Sequence, residues 1–191
     1  MQPIHHLFLA TAVAAGVSIP ASAAVVVTVE DVEATEVTSG VGNGFFDVVI
    51  NLTEGSTFDD LTAFQVSVEL ETTTDVELTG LATPDDYVFP GSAPTGTVTA
   101  SAVTGGDFLN AGSVVVDDGD GLLRVNFSYT PVAAGVYEVS VVAAALFDDL
   151  GVDPSVTTAP GFINITPIPE PMSLSAIGLL GCLSLRRRRT A

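Results

Sequence analysis

Aspartates in pairs and clusters are the residues of this chain that could do chemistry. They occur as Asp59-Asp60, Asp85-Asp86, Asp117-Asp118-Gly119-Asp120 and Asp148-Asp149. Two well-placed carboxyl groups suffice for glycoside hydrolysis, in which one group donates a proton and the other acts as base or nucleophile. Clustered carboxylates also supply the oxygen ligands that calcium prefers. These residue types therefore suit two kinds of chemistry, sugar hydrolysis and the binding of a hard cation.

Other kinds of catalysis are limited by the residue types that are missing. His5 and His6 lie near the start of the chain, Cys182 lies near its end, and there is no Lys or Trp. Between residues 24 and 168 this excludes a Ser-His-Asp triad, a cysteine nucleophile, a lysine Schiff base and a His/Cys zinc site. With three tyrosines and no Trp, aromatic stacking on a sugar should be sparse. We therefore predict a non-enzymatic protein. A carboxylate-dependent glycosidase ranks third, after a structural protein and a binding module.

Asp117, Asp118 and Asp120 form the strongest candidate ion site. They lie with Gly119 and Gly121 between two apolar runs. Carboxylates interspersed with glycines can wrap a calcium ion, although this segment lacks the twelve-residue loop and terminal Glu of an EF-hand. Asp-Gly between apolar runs is also a strong signal for a β-hairpin. A hairpin turn without a cofactor is the preferred interpretation, and calcium bound at the three aspartates is the alternative.

Short β-strands are the elements that would position these aspartates. Apolar and polar residues alternate in four segments, 46–52, 64–70, 123–129 and 137–143. Further candidate strands are 25–30, 76–81, 97–103, 113–116 and 161–166, and residues 143–150 are a candidate helical turn. Alternation with a period of two places one face of each strand in a core and the other in solvent. The pattern predicts an all-β fold, a single antiparallel β-sandwich of about eight or nine strands spanning residues 24–166.

The predicted sandwich is strongly acidic. Between residues 24 and 168, Arg124 is the only basic side chain, whereas 22 of the chain's 23 Asp and Glu residues lie there. Such a charge balance repels nucleic acid and anionic membrane surfaces. We therefore expect no nucleic-acid partner.

The first 23 residues have the composition of a signal peptide. Residues 7–19 form an apolar core, and Ala21-Ser22-Ala23 has the small residues of a cleavage site. The residues before the core include His5 and His6 but no Lys or Arg, which departs from the usual pattern. We predict cleavage after Ala23 and export of the protein.

The last 23 residues combine three features in a fixed order. Pro169-Glu170-Pro171 precedes 14 uncharged residues, 172–185, and these precede Arg186, Arg187, Arg188 and Arg189. The prolines disfavour a helix through the motif and keep it extended. Residues 172–185 are predicted to form a hydrophobic helix, which is short for a permanent anchor because a span needs roughly 20 residues. Basic clusters stay on the cytoplasmic side, so the rest of the chain would lie outside the cytoplasm, with the tail as a transient membrane anchor.

In these three features the tail resembles the PEP-CTERM sorting signal of bacterial exported proteins. The resemblance covers 23 of the 191 residues and includes every part of the pattern in order. It implies processing by an exosortase, a membrane transpeptidase that cuts near the motif. Pro169, Glu170 and Pro171 would serve recognition, and residues 186–189 would serve retention and orientation. The chain would then comprise a signal peptide (1–23), an acidic sandwich (24–166) and a sorting signal (167–191).

Residues 46–70 and 122–129 resemble strands of the cohesin-like or carbohydrate-binding-module-like sandwiches of bacterial surface proteins. Combined with the tail, this suggests an exported structural or adhesive protein of the cell surface or extracellular matrix. The alternative is a calcium-assisted module that binds carbohydrate or protein. Expected partners are an exosortase, the membrane before processing, and extracellular polysaccharide or other surface proteins.

Overall fold

Two β-sheets stacked face to face organise the structure, a computed structural model that describes residues 25–53, 58–131, 133–151 and 155–168. The strands within these residues are β1 Val25–Val29, β2 Val32–Thr35, β3 Gly42–Leu52, β4 Phe58–Leu61, β5 Ala63–Leu70, β6 Val76–Ala82, β7 Thr95–Val98, β8 Ala102–Phe108, β9 Val114–Val116, β10 Gly121–Tyr129, β11 Gly135–Phe147, β12 Val156–Ala159 and β13 Gly161–Thr166. The predicted all-β sandwich is confirmed. It has more strands than expected, because β2, β4, β7 and β12 are too short to show a clear alternation.

The two main sheets contain five and six strands. The five-stranded sheet has the order β12-β1-β3-β10-β6, and the six-stranded sheet has the order β2-β13-β11-β5-β8-β7. Strands β4 and β9 pair separately. Most neighbours are antiparallel as predicted, but β12 runs parallel to β1 and β2 runs parallel to β13. Parallel neighbours are joined by long crossovers, which turn residues in a sequence do not reveal.

Alternate residues of the central strands fill the space between the two main sheets. In β5, Phe64, Val66 and Val68 are buried, as the alternation predicted. Phe46 of β3 stacks on Phe127 of β10 with ring centroids 6.3 Å apart. Gly105 of β8 allows the sheets to approach, because a Cβ there would lie 2.9 Å from a methyl carbon of Leu123. Hydrophobic burial in this single core is the main force that holds the two sheets together.

Two of the predicted local elements are wrong. Segment 97–103 is not one strand, because it turns at Thr99, whose backbone N–H donates to the Ala102 carbonyl at 2.8 Å, and so joins β7 to β8. Segment 143–150 contains no helical turn, because β11 continues to Phe147. Ala143–145 favour a helix locally, but pairing with β5 and burial of Leu146 override that preference.

The predicted hairpin at Asp117–Gly121 is also wrong, although its turn is present. Gly119 adopts φ +93°, and the Asp120 N–H donates to the Asp117 carbonyl at 3.2 Å. However, β9 pairs with β4, whereas β10 pairs with β3 and β6. The turn therefore carries the chain from the small sheet into the five-stranded sheet.

Between β6 and β7 the chain folds over one end of the core. Phe89 is fully buried and lies 5.7 Å from Phe64, measured between ring centroids. The Tyr87 hydroxyl donates to Asp107 Oδ2 at 2.7 Å, and the Ser92 hydroxyl donates to the same oxygen at 2.5 Å. Burial and the neighbouring Asp107 carboxylate raise the pKa of Tyr87, so its phenol stays protonated and keeps this bond. The connection is thereby fixed against the end of β8.

Candidate functional site

The outer side of four adjacent strands, β11, β5, β8 and β7, carries a patch without charged side chains. Cross-strand register places its members in three rows, Ala143-Ser67-Thr104-Thr97, Ala145-Gln65-Gly106-Thr95 and Phe147-Ala63-Phe108. We call these residues the neutral face. Their direction follows from the pleat, because Phe64, Val66 and Val68 of β5 point into the core and the residues between them must point outward.

The neutral face has one apolar end. Ser67 Oγ and Thr104 Oγ1 are hydrogen-bonded at 2.9 Å, so these hydroxyl groups are partly satisfied within the sheet. Phe108 is 64% exposed, and Phe147, which lies across Ala63 from it in the same row, is partly exposed. A shallow groove of about 450 Å³ runs between residues of β5, β7 and β8 and reaches both phenylalanines. Asp107 also lines it, with its carboxylate bonded to the Tyr87 and Ser92 hydroxyl groups. The arrangement provides an apolar contact next to hydroxyl and amide groups.

Carboxylates border the neutral face at both ends. Glu69, in the row next to Ser67 on β5, is exposed and lies opposite Ala102 and Ser140. At the other end Asp148 and Asp149 follow Phe147 directly. In a domain with 22 carboxylates, a patch of this extent without one is unexpected for a surface that only has to stay soluble.

Asp117, Asp118 and Asp120 lie in the turn before β10, where their hydrogen bonds hold the turn against β3. Asp118 Oδ1 accepts a hydrogen bond from the Leu52 N–H at 2.8 Å, and Asp120 Oδ2 accepts one from the Asp117 N–H at 2.8 Å. Burial raises the pKa of the Asp120 carboxyl, and the negative charges of Asp117 and Asp86 raise it further. These contacts give the Asp118 and Asp120 side chains a structural role in the turn. A calcium site at this turn stays a prediction.

Hydrogen bonds at the other aspartate pairs serve local structure. Asp60 accepts from the Ser113 hydroxyl at 3.1 Å, and Asp148 Oδ1 accepts from the Leu150 N–H at 2.9 Å. Asp85 bonds to Arg124 at 3.1 Å. Within residues 25–53, 58–131, 133–151 and 155–168, no group of three or more Asp, Glu, His or Cys residues could hold a metal ion.

Arg124 lies on the outer side of the five-stranded sheet, opposite to the neutral face. Its Nε donates to Asp47 Oδ1 at 2.8 Å and its Nη2 donates to Asp47 Oδ2 at 2.7 Å. Its Cζ lies 4.1 Å from the ring centroid of Phe45. The hydrogen bonds that the guanidinium donates to Asp47, with a smaller contribution from the bond to Asp85, raise the pKa of Arg124, which stays charged. This is a fixed cluster of one cation, two carboxylates and one aromatic ring.

The predicted sorting and cleavage residues lie outside the described residues. These are Ala21, Ala23, Pro169, Glu170, Pro171, Arg186, Arg187, Arg188 and Arg189, together with the predicted helix at 172–185. No helix able to span a membrane lies within the part of the chain that the structure describes. The signal peptide, the sorting signal and the domain boundaries therefore stay predictions.

No protein-family profile and no curated protein matches the chain. Several cohesins are among the solved structures that resemble it. A cohesin of scaffoldin B from Acetivibrio cellulolyticus, in complex with a Cel5 dockerin, matches with a TM-score of 0.60 and 16% identity over 74% of this chain and 99% of the cohesin. The OlpA cohesin from Clostridium thermocellum, also in complex with a dockerin, matches with a TM-score of 0.60 and 11% identity over 74% and 99% of the two chains.

This chain has the cohesin fold. A non-cellulosomal cohesin from the archaeon Archaeoglobus fulgidus supports the same conclusion, with a TM-score of 0.56 and 13% identity over 80% of this chain and 97% of that cohesin. The cohesin-like resemblance of segments 46–70 and 122–129 is thereby confirmed at the level of the fold. The fold alone does not identify the function, because one fold can carry many functions.

The neutral face and the exposed side of Phe45 were both missed by sequence reasoning. Alternation correctly assigned Gln65 and Ser67 to the outer side of a strand. It could not show that Thr97, Thr104 and Ala143 lie in the same row, because that depends on register between strands far apart in sequence. The Thr-Gly-Thr segment at 95–97, free of charge in so acidic a chain, was the available signal.

Proposed function

We propose that the sandwich is a non-enzymatic protein-binding module that docks a partner protein on the neutral face. The observation that carries this proposal is an uncharged, partly apolar sheet surface in a domain with 22 carboxylates. The centres of protein interfaces are depleted of charge, because a charged group there must be desolvated. The cohesin fold favours this hypothesis over a purely structural matrix role, since cohesins of the same fold have been solved in complex with dockerins.

Phe108 and Phe147 would be the apolar anchors of the interface. Aromatic side chains contribute large contact areas at low entropic cost, and hot spots of binding energy are enriched in some of them. The Thr, Ser and Gln side chains beside them would exchange hydrogen bonds with water for hydrogen bonds with the partner. The contact is thus predicted to be centred on the β5–β8 pair.

The partner should present an uncharged centre with basic residues around it. Glu69, Asp148 and Asp149 border the face, and the domain as a whole repels acidic surfaces. A second copy of this chain would bring the same acidity to the contact, so self-association through this face is disfavoured. Association with a basic partner should slow as ionic strength rises, because salt screens the attraction.

A charge placed within the neutral face tests the proposal. Gln65→Arg puts a long cationic side chain at an exposed position in the middle row, and Thr79→Arg puts the same side chain at an exposed position of the five-stranded sheet. Extracellular protein from the producing cells would be passed over each immobilised chain and identified by mass spectrometry. We expect a basic protein retained by the unchanged chain and by Thr79→Arg but lost with Gln65→Arg. Equal retention by both variants would contradict docking on the neutral face.

We also propose that the module is delivered outside the cytoplasm through its two ends. The signal peptide at 1–23 would direct export, and the PEP-CTERM-like tail would hold the chain in the membrane until an exosortase cuts near Pro169-Glu170-Pro171. Supporting this are the three ordered features of the tail. Deleting residues 186–189 should yield unprocessed or misrouted protein, as measured by cell fractionation and mass spectrometry of the mature C-terminus. Unchanged fractionation and unchanged cleavage would contradict the proposal.

A further inference from the structure

Away from the neutral face, the outer side of the five-stranded sheet has the groups that recognise sugars. We propose that this side binds a neutral glycan chain, with one sugar ring packed against Phe45. The ligand differs in class from the protein partner proposed above, and the two sites lie on opposite sides of the sandwich. Both could be occupied at once.

Cross-strand register brings the relevant side chains into adjacent rows. Phe45 of β3 lies opposite Asn126 of β10, and Asn126 lies opposite Gly80 of β6. In the next row Asn43 lies opposite Ser128, which lies opposite Glu77. These residues point outward because Phe46, Val125 and Phe127 between them are buried. The result is an aromatic ring beside amide, hydroxyl and carboxylate groups on one surface.

The Phe45 ring is exposed and yet held in place. The residue is 48% exposed, although it lies within the long central strand β3. The guanidinium of Arg124 packs 4.1 Å from the ring centroid, and Asp47 fixes that guanidinium through two hydrogen bonds. A ring that is already ordered loses little conformational freedom when a sugar stacks on it. The expectation of sparse aromatic stacking considered only Trp and Tyr, and Phe45 adds one exposed ring to that count.

Several polar groups beside the ring are available for hydroxyl groups of a ligand. Within the described residues, neither the Asn43 amide nor the Asn126 amide forms a hydrogen bond. Arg124 uses Nε and Nη2 for its bonds to Asp47 and Asp85, which leaves Nη1 to donate elsewhere. An amide donates and accepts, so it can satisfy adjacent sugar hydroxyls. Gly80 opposite Asn126 accommodates this amide, because a Cβ on Gly80 would lie only 3.0 Å from Asn126 Nδ2.

The surface continues from Phe45 toward the end of the sheet. A depression of about 150 Å³ is lined by Val41, Asp75, Glu77, Ser128 and Thr130, among others. From Phe45 to Val41, the residue before β3, an extended chain covers roughly 14 Å, at about 3.4 Å per residue. The hydroxyl and carboxylate oxygens at this end accept hydrogen bonds from hydroxyl groups. The length fits a chain of sugars better than a single ring.

Charge determines the class of glycan. The one cation, Arg124, is compensated by Asp47 and Asp85, and Glu77 and Asp75 add further negative charge. An anionic polysaccharide would be repelled, whereas hydroxyl groups can use both the carboxylates and the amides. The observations therefore favour an uncharged chain.

Isothermal titration of the full chain tests the inference. The probes are cellohexaose, mannohexaose and xylohexaose as uncharged chains and oligogalacturonate as an anionic chain. We expect at least one uncharged hexaose to bind and the anionic chain not to bind. Asn126→Ala should weaken that binding about fivefold to tenfold, as expected for loss of one hydrogen bond. Phe45→Ala should weaken it by more, and Phe45→Tyr should restore it.

A matched control lies on the neutral face. Phe108→Ala removes an exposed phenylalanine of the other sheet and should leave glycan affinity unchanged. Far-UV circular dichroism and melting curves would show that each variant is folded. The inference is overturned if no uncharged hexaose binds, if the anionic chain binds instead, or if Phe108→Ala weakens binding as much as Phe45→Ala. Loss of protein docking in Gln65→Arg with intact glycan binding would separate this site from the proposed function.

Discussion

The two outer faces of the sandwich differ although they are built from the same alternation and rest on the same core. On the six-stranded sheet the neutral face has Thr, Ser, Ala and Gly in register, with one pair of hydroxyl groups bonded to each other. On the five-stranded sheet Arg124 is clamped by Asp47 and Asp85 and covers part of Phe45. Inward residues thus determine the fold, whereas outward residues determine what each side can bind.

The largest expected effect tests whether the two faces rest on one cooperative core. Leu123→Ala in β10 and Leu146→Ala in β11 each remove a fully buried side chain, one from each main sheet. Each should lower the free energy of unfolding by about 3 kcal/mol, since the change leaves a cavity. Chemical denaturation followed by circular dichroism should show a single transition in both variants. Two unfolding transitions, or a loss of unfolding free energy in only one of the two variants, would show that the sheets are separate units.

Breaking the cluster around Arg124 on the five-stranded sheet should lower the free energy of unfolding more than any single change on the neutral face. Asp47→Ala removes two charge-assisted hydrogen bonds from a guanidinium whose side chain is only 17% exposed. We expect a loss of about 2 kcal/mol in unfolding free energy. The control Gln65→Ala, at an exposed position of the neutral face, should change it by less than about 0.5 kcal/mol. Urea denaturation measures both values. Equal losses of unfolding free energy in Asp47→Ala and Gln65→Ala would contradict the expected difference between the two faces.

A smaller, pH-dependent effect is expected at the acidic turn beside the five-stranded sheet. Burial raises the pKa of Asp120 above its ordinary value of 3.8, so folding disfavours the charged form. The stabilising contribution of the protonated form is present below pH 3.8 and is lost as pH rises through the raised pKa. Asp120→Asn, whose amide oxygen can still accept from the Asp117 N–H, should therefore stabilise the protein at pH 7 but not at pH 3. Melting temperatures at the two pH values measure this, and a benefit that persists at pH 3 would point to another cause.

The smallest effect is expected within the neutral face itself. Ser67→Ala and Thr104→Ala each remove one hydroxyl group of a pair that water can replace, so each should cost about 0.5 kcal/mol. The double variant should cost less than the sum of the single variants, because one interaction is lost in all three. Fully additive losses in urea denaturation would mean that the two hydroxyl groups do not stabilise each other.

Segments with strong alternation were predictable from the sequence, and segments governed by distant partners were not. The inward residues of β5 and β10 were assigned correctly because each strand buries every second side chain. Residues 143–150 were predicted wrongly, since local helix preference says nothing about the pairing of β11 with β5. The turn at Asp117–Gly121 was also found, but the strands on either side of it join different sheets. Turn residues determine where a chain bends and leave open which strand it joins next.

The candidate sites show the same division. The aspartate cluster at 117–120 was identified in the sequence as a candidate ion site, and in the structure Asp118 and Asp120 hold a turn in place. The neutral face and the Phe45 surface were not predicted from the sequence, because each is assembled from three or four strands. Neither contains a contiguous motif.

By itself the amino-acid sequence determined an all-β sandwich, the acidity of residues 24–168, the absence there of histidine, lysine and cysteine chemistry, and the prediction of an exported chain with a PEP-CTERM-like tail. These conclusions follow from composition, local order and the period of two, which are properties of the chain alone. Only the tertiary structure decided that the fold is that of a cohesin, that Thr97, Thr104, Ser67 and Ala143 share a row, and that Phe45 is exposed beside Arg124. The physical reason is that register and strand order depend on burial and hydrogen bonding between segments that lie far apart along the chain.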